Sequence, residues 1–333
     1  MIRRALLGAA VAGLALGLVP IRPAVAAEPV NITIAVSSNT LAYGGLRIAE
    51  GASLFQKNGL NPKITVMESG NAAISAVLGG SAEFSSSGPG EVLAARVRGQ
   101  RMIIVANVYR GLSGSVVLAK SIAEKLGEAG KQGLSAKIKA LDGLVIAAPS
   151  ATSAYLTPIK SAAEEQGARP KFVYMSQPAM VAALQSGAIQ GMIAGAPFSL
   201  APVKSGAGVV WLNGPHGELP KDVLPASSAC LQTSEAYAAG HQEVVAALQK
   251  TFADLAAFIR QRPDEARAIL AKAYPLLDPA SLAAIFEQES PNWSQPVMTP
   301  ADIAQEIAIQ RKSGGLKGVE EVDPTAVIAV PKT

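Results

Sequence analysis

Ile32, Ile34 and Val36 alternate with Thr33 and Ala35, the period-two pattern of a strand. Ser37-Ser38-Asn39-Thr40 follows, rich in helix-capping residues, and leads into a helix-period stretch over residues 46–55 that Asn58-Gly59 closes. The alternation then continues: a strand over 64–67, the turn Ser69-Gly70-Asn71, a helix over 72–78, a strand over 84–87, the turn Gly88-Pro89-Gly90, a helix over 91–98 and an apolar strand over 102–108. This β-α-β-α order predicts an α/β protein with a mainly parallel sheet and helices on both faces.

The same order recurs further along. A strand over 144–147 precedes Pro149-Ser150-Ala151-Thr152 and a helix running to about residue 166. Strands over 172–175, 192–194 and 209–212 follow, with a helix over 180–184 between the first two. The letters repeat as well. Ser38 to Tyr43 matches Ser150 to Tyr155 at an offset of 112, while Pro62-Lys63, Met67 and Pro89 match Pro170-Lys171, Met175 and Pro197 at 108. The period is far longer than that of solenoid repeats and predicts two like α/β lobes. Lobe one is expected over residues 27–110 and 213–333, lobe two over 111–212, with a hinge where the chain crosses near Arg110 and Leu212.

From Ser234 onward the pattern is nearly all helical. Pro263, Asp278-Pro279 and Thr299-Pro300 open three of these helices, because Asp or Thr caps the first amides and Pro at the first helical position has no amide to satisfy. The lysines between residues 120 and 139 are interspersed with Glu124 and Glu128 and read as a solvated helix face.

Composition narrows the class. Of 333 residues, 49% are hydrophobic and 16% charged, which excludes a disordered polyelectrolyte. The formal charge is +4, but Arg3, Arg4 and Arg22 all fall in the first 26 residues, which hold no acid. The remainder is close to neutral, a poor binder of nucleic acid. Arg3-Arg4, the apolar run over 5–19 and Ala24-Val25-Ala26 read as a signal peptide over 1–26, cleaved near Ala26. The run is short for a membrane span, and Arg3-Arg4 fits the twin-arginine route only loosely. An exported protein with one cysteine, Cys230, has no internal disulfide and suits a bacterial periplasm.

Catalytic patterns are scarce. His216 and His241 are the two histidines, with no Ser-His-Asp spacing and no Gly-x-Ser-x-Gly elbow. Gly127 to Lys131 resembles a phosphate loop, but the spacing is wrong and Gln132 replaces its Ser/Thr. No cluster has metal-ligand spacing, so neither a metal nor a cofactor is implied. What recurs is a hydroxyl-rich turn between a strand end and a helix, at residues 37–40, 69–71, 86–88 and 150–153. Unpaired amides at helix starts, and ligand sites at the carboxyl ends of strands, make such turns a receptor for a small anion. Each turn can equally serve only to cap its helix.

The stretch from Tyr43 to Val108 resembles the periplasmic binding proteins of ABC importers for nitrate, aliphatic sulfonates and taurine. The likeness lies in Ala49-Glu50-Gly51-Ala52-Ser53-Leu54-Phe55-Gln56-Lys57-Asn58-Gly59-Leu60, the Ser-Gly turn, Leu78-Gly79-Gly80-Ser81-Ala82-Glu83-Phe84 and Gly88-Pro89, with Leu141-Asp142-Gly143 and Pro263-Asp264-Glu265-Ala266 later. It implies a two-lobed, type II-like periplasmic binding protein fold that closes on ligand in the cleft. It also implies a monomer that captures a small-molecule anion (sulfonate, taurine, nitrate or carboxylate), is no enzyme, and delivers to an ABC permease in the inner membrane. Implied ligand residues are Ser37, Ser38, Asn39, Gly70, Asn71, Ser87, Gly88, Ser150, Thr152 and Ser153. Arg110, at a strand end beside the expected hinge, is a candidate for the anion, and Tyr43 and Tyr155 for an organic tail. Departures from the family pattern are Glu83 in place of Asp, Ile189-Gln190-Gly191 in place of an acidic element, and a longer 120–139 segment. The rival readings are an enzyme of pyrimidine or menaquinone type on the same scaffold and an exported ligand sensor. The cysteine-rich motif of the pyrimidine synthases is absent.

Overall fold

The computed structural model describes residues 28–329; the expected leader, residues 1–26, lies outside the described residues. Ile32 and Ile34 place their side chains in the core from β1 (Val30–Val36). The expected helix over 46–55 is two helices, α1 (Gly44–Gly51) and α2 (Leu54–Lys57), because Ser53 between them adopts a left-handed backbone with φ of 55°. β2 (Leu60–Val66) starts earlier than expected and carries Pro62, which it tolerates as an edge strand. Then come α3 (Gly70–Leu78), β3 (Phe84–Ser87), α4 (Pro89–Val97) and β4 (Met102–Arg110).

The chain crosses at residues 111–113 into a second group of elements. These are β5 (Gly114–Ala119), α5 (Lys120–Leu126), α6 (Leu134–Lys139), β6 (Val145–Ala148), α7 (Leu156–Glu165), β7 (Lys171–Tyr174), α8 (Gln177–Gln185), β8 (Gly191–Gly195), α9 (Leu200–Lys204) and β9 (Gly208–Leu212). It returns over residues 213–226 to β10 (Ser227–Ser234) and ends in α10 (Glu235–Gly240), α11 (Gln242–Gln261), α12 (Pro263–Ala273), α13 (Pro279–Glu289) and α14 (Pro300–Lys312). The expected caps form. Asp278 accepts from the Ser281 amide, and Thr299 and Asp302 make a reciprocal capping box. α11 turns Leu248, Phe252, Leu255 and Ile259 inward at helical spacing against the first sheet.

The two sheets have one plan. The first is ordered β2-β1-β3-β10-β4 and the second β7-β6-β8-β5-β9. In each, one strand runs against the other four, β10 in the first and β5 in the second. The 112- and 108-residue offsets in the letters thus correspond to β1 with β6, β2 with β7 and β3 with β8. Neither reversed strand is among the expected ones: β5 is a short apolar run without alternation, while β10 breaks the hydrophobic pattern. It is buried on both faces yet rich in hydroxyls, which Ser227 donates to the Tyr109 carbonyl, Ser228 to Gly111 and Thr233 to Glu83. Bonded to backbone in this way, polar side chains sit in a sheet interior without cost, and no alternation marks the strand. Among the described residues no helix is long and apolar enough to cross a membrane.

Candidate ligand-binding site

The carboxyl ends of β1, β2 and β3 face those of β6 and β7 across a narrow cavity. The turns after β1 and β2 supply Ser37, Ser38, Glu68 and Gly70; the start of α4 supplies Gly88 and Glu91; Ser228 comes from β10. The second group supplies Pro149, Ser153, Ala154, Tyr155 and Gln177. The enclosed space is about 20 Å³, room for about one water, so an anion of several heavy atoms enters only with the walls further apart than here. The two walls touch. Thr40 Oγ1 lies 3.3 Å from the Tyr155 hydroxyl, the Leu41 amide donates to the Ala196 carbonyl at 2.8 Å, and Ser150 donates to Glu91 Oε1 at 3.3 Å. From α14, Gln310 donates to the Thr152 carbonyl at 3.4 Å, while Ser161 of α7 donates to the Ile309 carbonyl at 3.2 Å. This is a closed arrangement.

The candidate residues fall into three places. Ser37, Ser38, Tyr43, Gly70, Gly88, Ser153 and Tyr155 line the cavity. Ser87, Ser150 and Thr152 are buried just behind it. The Ser87 hydroxyl pairs with the Gln232 side chain 2.6 Å away, and Thr152 Oγ1 has no partner. Asn39, Asn71 and Arg110 stand off it: Asn71 is an exposed residue at the start of α3, while Asn39 is half-buried in its turn. Arg110 turns its guanidinium to Asp302, Nη2 to Oδ1 at 2.9 Å, because that carboxylate already caps α14 and offers a buried counter-charge. Arg110→Ala is therefore expected to lower stability by about 1–2 kcal/mol in urea titration and to leave the affinity for any cavity ligand unchanged.

Glu91, which the sequence pattern does not single out, is central. It is 3% exposed, and the two glycines at the turns exist for it. A Cβ at Gly70 would stand 2.6 Å from Glu91 Oε1, and one at Gly88 would stand 2.9 Å from Oε2 and 2.8 Å from the Ala154 methyl. These glycines admit a carboxyl and the opposite wall, where the sequence suggests only ligand approach. Burial raises the Glu91 pKa to about 8, opposed by its own backbone amide and reinforced by Glu306 of α14. Burial likewise raises Glu306 to about 7 and Glu289, which accepts from the Tyr109 hydroxyl, to about 7. The hydroxyls of Tyr43 and Tyr155 are pushed up by burial, so they stay protonated donors. No lysine, arginine or histidine is among the side chains that line the cavity.

These three glutamates set a pH dependence. Each has a folded pKa above the 4.5 of a free glutamate, so between pH 4.5 and 7–8 the folded chain keeps protons that the unfolded chain has lost. Their contribution to stability is full below pH 4.5 and is lost as the pH rises through 7–8. Glu306→Gln keeps an acceptor for Gln310 and removes the ionisation. It is expected to stabilise the protein by on the order of 2 kcal/mol at pH 8 and by little at pH 5, read from denaturation midpoints.

A second, larger opening of about 570 Å³ lies between α9 and the α12–α13 turn, lined by Phe198, Leu200, Val203, Leu276 and Leu277. It is an open apolar groove that starts just after β8, at Pro197, and forms the outer edge of the space between the two groups of elements. The smaller cavity, with its hydroxyls, its buried carboxyl and contributions from both sheets, is the candidate site. His216 is held by Gln288 at 2.9 Å and His241 stacks on Tyr237; neither lines the cavity. Among the described residues no group of His, Cys, Asp and Glu could hold a metal ion.

The profile of the NMT1-like family matches residues 25–274, three quarters of the chain. The chain belongs to the NMT1-like family. No curated protein matches the sequence. Among solved structures, the alkanesulfonate-binding protein SsuA from Xanthomonas axonopodis pv. citri, bound to MOPS, is 16% identical with a TM-score of 0.72, covering 91% of this chain and 99% of that one. The periplasmic nitrate-binding protein NrtA from Synechocystis PCC 6803 is 14% identical with a TM-score of 0.68, covering 90% and 86%. The ligand-binding component of an ABC-type import system from Staphylococcus aureus, with zinc bound, is 14% identical with a TM-score of 0.67, covering 86% and 93%. This NMT1-like chain therefore has the fold of the periplasmic binding proteins, as its Ser-Gly and Gly-Pro turns suggest.

Proposed function

We propose that this NMT1-like protein is an extracytoplasmic solute-binding protein of an ABC importer. It acts in the periplasm as a monomer and captures a small organic or inorganic anion of the sulfonate, taurine, nitrate or carboxylate kind. The observation that carries this reading is the cavity itself: it lies at the strand ends of two like sheets and takes hydroxyls from both. In such folds that is where ligands sit. The sulfonate- and nitrate-binding neighbours share the fold and support the anion class.

On this reading the groups around the two sheets are lobes, residues 27–110 and 213–333 against 111–212, and the crossings at 111–113 and 213–226 are the hinge. A ligand that touches both walls favours the closed state; one that touches a single wall shifts nothing. Moving the population from mostly open to mostly closed takes a preference of about 5.5 kcal/mol. Two to four hydrogen bonds to a charged ligand, at about 1.5–3 kcal/mol each, supply it if they come from both walls. Delivery to a permease then needs no chemistry at this site. A thermal-shift panel of nitrate, ethanesulfonate, taurine and benzoate tests the reading. A rise in midpoint with at least one supports it, and no shift with any at millimolar concentration contradicts it.

A further inference from the structure

A cavity for an anion that contains a buried carboxyl poses an electrostatic problem. The groups facing Glu91 are Glu306 from α14, the phenols of Tyr43 and Tyr155 and the Cys230 thiol from β10, and Glu68 lines the same cavity. None is a cation. A buried carboxylate with no counter-charge is costly, so the acid form is the stable one. Its two oxygens differ: Oε1 accepts from Ser150, while Oε2 has no partner. The neighbouring hydroxyls are already occupied, Ser37 with Tyr43, Ser38 with Thr40, and Tyr155 with Ser113 and Thr40.

We propose that Glu91 is the specificity-determining residue of this cavity, its neutral carboxyl donating an O–H from Oε2 to the bound anion. This rests on the anion-binding reading above. It explains how the cleft takes an anion with no lysine, arginine or histidine on its wall: a proton held on Glu91 supplies a donor and removes that carboxylate's own repulsion. It also sets the ligand class. A permanent anion that only accepts hydrogen bonds fits beside Glu91, and a ligand that presents an ammonium there does not match it. Burial, which raises the Glu91 pKa to about 8, places the loss of the donor just above neutral pH.

Nitrate and ethanesulfonate do not titrate between pH 6 and 9.5, so titration calorimetry with them reads the protein's own proton. Wild-type affinity is expected to be level from pH 6 to 7 and to fall about thirtyfold by pH 9.5. Glu91→Gln keeps an N–H donor that cannot ionise, and its affinity is expected within a few-fold of wild type and flat with pH. Glu91→Ala is expected to lose at least tenfold at pH 7, with circular dichroism unchanged. Glu306 titrates in the same range, and Glu306→Gln should retain a fall with pH, which assigns the step to Glu91. Anion binding that is independent of pH overturns the proposal and leaves the anion-binding function standing. Affinity that rises with pH, with Glu91→Gln abolishing it, also overturns it, because the carboxylate is then accepting from a cationic nitrogen. Absence of binding to either anion at every pH overturns both.

Discussion

Gly90→Val is expected to weaken anion binding by at least a hundredfold while the protein stays folded. The point where a Cβ at residue 90 would stand overlaps Gln310 Nε2 and the Thr152 carbonyl oxygen, and lies 3.2 Å from Glu306 Oε1. Gln310 is a side chain and can swing away. The Thr152 carbonyl is backbone on the opposite wall, and it yields only if that wall moves. Gly90 is the second residue of α4, and its backbone is not in the left-handed region, so valine there leaves the helix itself intact. The substitution should therefore act as a wedge. Calorimetry reads the loss of affinity, and small-angle scattering should give a larger radius of gyration than ligand-bound wild type, unchanged by ligand.

Trp293→Ala is expected to cost about 3–5 kcal/mol, measured by urea denaturation. Its ring is 2% exposed, meets Tyr109 edge-on at 6.3 Å between centroids, and packs on Phe286. Its indole N–H donates to the Leu41 carbonyl at 3.0 Å. That bond ties the C-terminal helical region to the turn that carries Ser37, Ser38 and Tyr43 into the cavity, and Tyr274 adds a second tie by donating to the Thr40 carbonyl at 2.7 Å. The truncation leaves a cavity and also deprives a buried carbonyl of its donor. Ligand affinity should fall along with stability. Trp293→Phe, which keeps most of the apolar area, should lose about half as much.

The repeat was legible in the sequence because equivalent turns have similar jobs. Ser38 to Tyr43 and Ser150 to Tyr155 follow equivalent strands, and Tyr43 and Tyr155 stand on facing walls. β10 was not legible, because hydroxyls bonded to neighbouring carbonyls remove the alternation that marks a strand, and β5 was not because its apolar part is short and lacks alternation. The hydroxyl turns led to five cavity-lining residues, and Tyr43 and Tyr155 add two more. They did not separate the cavity wall from the layer behind it: Ser87 and Ser153 look alike as letters, and only the fold turns Ser87 toward Gln232. Arg110 shows the same limit, since Asp302, 192 residues away, claims it. Glu91 was hidden for another reason. An acid just after Gly-Pro-Gly reads as an ordinary first-turn helix residue, stabilising the dipole. Its burial comes from Ser150, Ala154 and α14, which sequence proximity does not reveal.

Closure of one wall on the other is the central claim, and a distance measured across the mouth of the cleft tests it most directly. Val203 on α9 and Leu276 beyond α12 are exposed and face each other across the apolar groove, where Lys204 and Asp278 approach to 3.7 Å. The one native cysteine, Cys230, is buried and its thiol pKa raised by burial, so spin labels attach at Val203→Cys and Leu276→Cys alone. Pulsed electron–electron double resonance should show a long-distance population without ligand that collapses to a single shorter one when ethanesulfonate saturates the site. An identical distance distribution with and without bound anion would contradict the account.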